Sequence, residues 1–173
     1  SKWLAYPERS APQEPFSLSV ASLETRQKKR LTSPPRSLLG DFNPGFSPDG
    51  RSIAFSRWFV GHIAQLYLQP LTAPLEPAGE PRQLTFEDWS NTGPAWTPDG
   101  RQIVHRAGPK HRSRLWRIDL RPSAVPQPLS FSAISGGSFS PALSREKHRL
   151  AFTQARWDVN IWRVSVAGGS RTD

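Results

Sequence analysis

The sequence predicts an all-β chain of short antiparallel sheets, and three observations carry that prediction. The first is a repeat. Pro44-Gly-Phe-Ser-Pro-Asp-Gly-Arg-Ser-Ile-Ala-Phe55 returns as Pro94-Ala-Trp-Thr-Pro-Asp-Gly-Arg-Gln-Ile-Val-His105, an offset of 50 residues, and in worn form as Pro141-Ala-Leu-Ser-Arg-Glu-Lys-His-Arg-Leu-Ala-Phe152, 47 residues further on. Leu4-Ala5-Tyr6 matches Ile53-Ala54-Phe55 at an offset of 49 and reads as the tail of another copy. A period of this size marks an array of one supersecondary unit. The second observation is composition: 18 prolines and 12 glycines among 173 residues, with only 36% hydrophobic residues but seven tryptophans. Disorder would explain the low apolar content but not the periodic apolar pattern; short strands joined by Pro/Gly turns explain both. The third is the turn inside each copy. Ser47-Pro48-Asp49-Gly50 and Thr97-Pro98-Asp99-Gly100 combine a preset φ, a side chain that bonds its own backbone and a residue free to take φ > 0, and they join two short apolar runs. Ser144-Arg145-Glu146-Lys147 replaces them in the worn copy, which predicts a looser hairpin.

Taken in order, the chain divides into four units. The first, 1–32, has Trp3-Leu4-Ala5-Tyr6, then Phe16 to Leu23 with period-2 alternation, then Lys29-Arg30-Leu31-Thr32. Alternation of this kind means a strand with one buried face. This unit lacks an opening strand. Ser33 to Gly40, with Pro34-Pro35, is a connector. The second unit, 41–85, reads as strands at Gly45-Phe46, Ser52 to Trp58, Gln65 to Leu68 and Arg82 to Thr85, with Ala73 to Pro81 as a loop. The third, 91–130, repeats the order with Leu115 to Leu120 and Gln127 to Ser130. The fourth, 136–173, has Asn160 to Val164 as its third strand and stops short of a fourth.

Four short strands in meander order, every 45 to 50 residues, are what a propeller blade looks like in sequence. One blade cannot bury both faces of its sheet, whereas neighbours stacked about an axis can. The expected fold is therefore a partial β-propeller of four-stranded antiparallel blades, with about four blades represented. Phe46, Tyr67, Trp96, Trp116 and Trp162 recur at equivalent strand positions and are expected to pack between blades. A chain without methionine that opens inside a repeat reads as a piece of a longer protein, and an open segment is expected to be marginally stable or prone to aggregate alone.

Charge and chemistry narrow the function classes. The net charge of +9 suits an anionic partner, but the basic residues are scattered apart from Arg26-Gln-Lys-Lys-Arg30, which reads as a solvated loop rather than a nucleic-acid patch. No apolar run of membrane-spanning length occurs, and there is no cysteine for disulfides or thiolate metal sites. Gly136-Gly-Ser-Phe-Ser140 fails the Gly-x-Ser-x-Gly nucleophile pattern at its last position and falls where a strand is expected. His62, His105, His111 and His148 have no metal-ligand spacing, and His105 stands where other copies carry Phe55, Phe152 and Tyr6, the place of a buried strand side chain. Asp49 and Asp99 belong to turns, and Gly168-Gly169 lacks a following helix. The chain reads as non-catalytic, without cofactor or metal. Residues opening the innermost strands are the candidate ligand or partner contacts at the channel: Phe42, Asn43, Asn91, Thr92 and Ser138.

The pattern Pro-x-Phe/Trp-Ser/Thr-Pro-Asp-Gly-Arg-x-Ile-Ala-Phe, then Leu-Tyr or Leu-Trp, then Leu-Thr resembles the TolB-type, WD-like propeller repeat over nearly the whole chain. More narrowly, Glu14-Pro15-Phe16, Leu23-Glu24, Leu31-Thr-Ser-Pro-Pro35 and Asn160-Ile-Trp-Arg163 look like the propeller of large bacterial sensory proteins, where it follows a winged-helix or kinase domain and a membrane span. That resemblance implies a binding or sensor module in a bacterial signalling protein, recognising a protein or small ligand, on the periplasmic side. The propeller that filters substrate in prolyl-oligopeptidase-type serine peptidases is similar, and implies a gate for a separate hydrolase domain.

Overall fold

The computed structural model describes residues 2–60, 63–108, 113–132, 137–146 and 149–155. These form β-strands throughout, apart from one 3-10 turn at Ser130–Ser132. The first sheet has order β1 (Trp3–Glu8), β2 (Ser17–Ser22), β3 (Lys28–Arg30). The second comprises β4 (Gly40–Phe46), β5 (Ser52–Trp58) and β6 (Ala64–Thr72), with β7 (Glu76–Pro77) and β8 (Arg82–Gln83) both pairing with β6. The third is β9 (Asn91–Trp96), β10 (Gln102–Ala107), β11 (Arg114–Asp119) and β12 (Gln127–Pro128). In the fourth, β13 (Gly137–Leu143) pairs with β14 (Leu150–Ala155). All named pairings are antiparallel.

The sheets stack face to face, and β5 shows why. Ile53 and Phe55 point one way, into a cluster with Leu18, Val20 and Leu31 of the first sheet. Ala54 points the other way and joins Leu66, Leu68 and Leu84 against Ile103 and Ile118 of the third. A period of 2 on a sheet buried on both faces places apolar residues at consecutive positions, as Ile-Ala-Phe does. Phe46 and Tyr67 pack on the first cluster and Trp96 on the second, as expected of the inter-blade aromatics. Trp162 lies outside the described residues. The inner strands β4, β9 and β13 are successive neighbours, and β1, the first sheet's counterpart of β5, lies next to β4.

Each turn is closed by a hydroxyl. Ser47 Oγ accepts from Ser52 N at 2.9 Å and donates to Asp49 Oδ1 at 2.6 Å, while Asp49 Oδ1 also accepts from Arg51 N. Thr97 and Asp99 repeat the set at 3.0 and 2.6 Å. Gly50 and Gly100 have φ of 71° and 68°. The worn copy keeps only the hydroxyl: Ser144 Oγ accepts from Arg149 N at 3.0 Å, and the hairpin still forms. Leu-Thr also recurs for a physical reason. Thr32 Oγ1 accepts from Leu18 N, and Thr85 Oγ1 from Leu66 N, each at 2.9 Å, so the side chain continues the ladder where the outer strand leaves it.

Three expectations change. Ala73 to Pro81 is not all loop: β6 runs on to Thr72, where Leu71 is buried in the first cluster, and the chain folds back as β7. The inner strand of the second sheet starts at Gly40, well before Gly45. The basic run is only part loop: Arg26 and Gln27 lie outside any strand, whereas Lys28–Arg30 is an outer strand. Its side chains all have partners: Lys28 pairs with Glu8 of β1, Lys29 with Glu76 of the second sheet, and Arg30 Nη2 donates to Ser10 Oγ at 2.6 Å.

Candidate functional site

The meander sets two rims. Each of the inner strands β4, β9 and β13 starts at the rim carrying the segments 9–16, 33–39, 59–60, 84–90 and 129–132, and ends at the rim of the Pro-Asp-Gly turns and their worn counterpart. Eight large apolar side chains are exposed among the described residues, and five of them, Leu39, Val60, Phe86, Trp89 and Phe131, belong to the first rim. Leu39 and Trp89 are equivalent positions one repeat apart.

On this rim, between the first two sheets, lies a pocket of about 680 Å³. Its floor is a backbone knot. Phe16 N donates to Leu39 O at 3.0 Å and Asp41 N donates to Phe16 O at 2.7 Å, a parallel bridge between Phe16 and Gly40. Gly40 has φ 124°, and a Cβ there would lie 2.3 Å from both Phe16 N and O, so only glycine lets the two chains approach. The knot sets Phe16 against Phe42, with ring centroids 4.9 Å apart and planes at 48°. Trp58, Leu38 and Leu39 complete the apolar wall, and Pro7, Pro12, Pro15 and Pro44 add surface with no N–H. Behind the floor, Arg57 binds Asp41 in a bidentate pair at 2.7 and 2.9 Å, with Asp41 wholly buried and the guanidinium 4.7 Å over Tyr67.

The polar groups of the pocket are few. Arg9 lies 5.0 Å over the Phe16 ring and donates one bond, from Nη1 to Pro12 O at 2.9 Å. Glu14 is paired with Arg36 at 2.9 Å.

Of the sequence candidates, Phe42 and Asn43 line this pocket, with Asn43 exposed and at φ 53°. Asn91 and Thr92 are buried instead. Asn91 Nδ2 donates to Gln65 Oε1, Glu87 Oε2 and Trp89 O, while Thr85 Oγ1 donates to Gln65 Oε1 at 2.6 Å. Their burial has a simple cause: the start of the inner strand also faces the neighbouring sheet, and there Asn91 ties the second and third sheets together. Ser138 lies on β13 opposite Gln154. Sequence reasoning missed Arg9, Phe16 and Trp58 as pocket residues. A usable signal existed, since Trp58 stands where the third unit has Gly108.

His105 is buried, as its place in the repeat implied. Burial pushes its pKa down to about 4, against the smaller effect of the bond from Nδ1–H to Arg106 O. Its Nε2, like Asn91 Oδ1, is buried without a hydrogen-bond partner among the described residues. His62, His111 and His148 lie outside those residues. Within them, no group of three or more His, Asp or Glu side chains could hold a metal ion, and no helix is long and apolar enough to cross a membrane.

No family model matches the chain. Over 62 residues, 36% of this chain, it is 39% identical to the uncharacterized peptidase YuxL of Bacillus subtilis, of which it covers 9%. Among solved structures it is similar to TolB from Acinetobacter baumannii, with TM-score 0.72 and 21% identity over 92% of this chain and 36% of that one. It is also similar to the β-propeller domain of the Trilobed protease from Pyrococcus furiosus, with TM-score 0.51 and 17% identity over 75% of this chain and 41% of that one. The chain thus spans less than half the length of each of these three. At these identities the structural likeness shows the fold, and the fold is a partial β-propeller of TolB-like form.

Proposed function

We propose that this propeller segment is a non-catalytic recognition module, and that the rim bearing the 9–16, 33–39, 59–60 and 84–90 segments is its docking face for a protein or small ligand. The observation that carries the reading is the concentration of exposed apolar side chains on that rim, around a concave apolar pocket with few polar groups. Scattered exposed apolar residues are ordinary on any protein; a one-sided distribution is not.

The test compares two folded variants. Val60→Ser, Phe86→Ser and Trp89→Ser together remove apolar surface from the docking rim outside the pocket. Leu23→Ser with Val125→Ser does so on the opposite rim. Partners recovered with the native chain are lost from the first variant and kept by the second; the reverse pattern, or no difference, overturns the assignment.

A second reading, a propeller gating a peptidase, is favoured by the 62-residue match to YuxL and by the Trilobed protease likeness. A Gly-x-Ser-x-Gly motif followed by Asp and His in the adjoining coding sequence would carry it. The sensory context rests on the resemblance of short motifs alone.

A further inference from the structure

Resting on the recognition rim above, we propose that the pocket under Arg9 takes a small amphipathic carboxylate: a free molecule with one aromatic or branched apolar body and one carboxylate group.

Size, walls and charge each limit the occupant. About 680 Å³ suits a molecule of modest size rather than a folded element. Phe16, Phe42 and Trp58 offer ring faces, and the four wall prolines contribute no N–H, so the walls recognise an apolar body and supply few donors. That leaves the head group to the side chains. Glu14 is already neutralised by Arg36, so it does not repel an anion. Arg9 has no carboxylate partner among the described residues and spends one donor on Pro12 O; its remaining N–H groups are open to an anion at the pocket mouth. Its position over the Phe16 ring, which itself packs on Phe42, holds the guanidinium beside the apolar wall. A guanidinium fork matches a carboxylate in a bidentate pair.

The experiment uses the full chain and two probes of the same shape, 3-phenylpropionate and 3-phenylpropan-1-ol, titrated against the Trp58 indole signal by NMR. The acid binds about tenfold or more tightly than the alcohol, the difference expected of one charge-assisted hydrogen bond. Arg9→Gln removes that preference and leaves alcohol binding unchanged. Phe42→Ser weakens both probes. Arg36→Gln, which releases the Glu14 charge, weakens the acid alone. Equal affinity for acid and alcohol in the native chain, or a preference that survives Arg9→Gln, overturns the proposal. So does tighter binding of a peptide ending in phenylalanine than of the free acid, which would make the pocket a peptide site. Because Val60, Phe86 and Trp89 lie outside the pocket, the rim variant that loses its partner keeps probe binding, and the two ideas fail separately.

Discussion

His105 occupies the position of Phe55 in the repeat, and its imidazole is as thoroughly buried as that ring. A histidine held near pKa 4 is neutral in the folded chain, whereas in the unfolded chain it takes up a proton near its ordinary value of 6.5. Stability from this group is therefore full above pH 6.5 and falls as pH drops from 6.5 toward 4, by roughly 3 kcal/mol over the window. His105→Phe is expected to flatten that slope, so that urea midpoints at pH 7 and pH 5 converge. An unchanged difference between the two midpoints would show that His105 is not the titrating group. Further loss at lower pH belongs to Asp49 and Asp99. Hydrogen bonds from Ser47 and Thr97 respectively, then from the backbone, hold these carboxyls below the usual range, so their contribution goes only as pH falls through those lowered values.

At the level of the hairpin, the hydroxyl matters more than the residues that advertise the turn. Proline, aspartate and glycine mark the first two copies, yet the worn copy folds back with only Ser144 in common. Ser47→Ala leaves Ser52 N without its acceptor in a half-buried site and should cost about 1 kcal/mol. Asp49→Asn keeps an oxygen for Arg51 N and should cost less; thermal or urea unfolding ranks the two, and the opposite order would put the carboxylate first. The Gly40 knot is the element that builds the pocket, and its clue in sequence was faint: one glycine after a proline-rich connector, with its partner Phe16 lying 24 positions earlier.

For the molecule as a whole, the second sheet is shared. Its two faces belong to two clusters, so neither the first nor the third sheet unfolds without exposing part of it. Val20→Ala and Ile118→Ala, one in each cluster, should both lower a single common transition, Ile118→Ala by about 2–5 kcal/mol. Fluorescence and circular dichroism curves that separate in either variant would show independent sheets instead.

The repeat by itself determined the strand order, the hairpin positions and the two-sided burial of β5, because these depend on local periodicity and turn chemistry that neighbouring residues express together. Even the burial of His105 followed from its register. Only the tertiary structure decided which rim is apolar and where the pocket lies. Leu39, Val60 and Phe86 are far apart along the chain and unremarkable singly; the meander brings them to one rim. For Asn91 the register tells half: it stands where Asp41 does and is likewise buried, but only the packed sheets show that it joins the second sheet to the third through Gln65, since that bond spans 26 positions of chain, while Asn43, at the β4 bulge, lines the pocket.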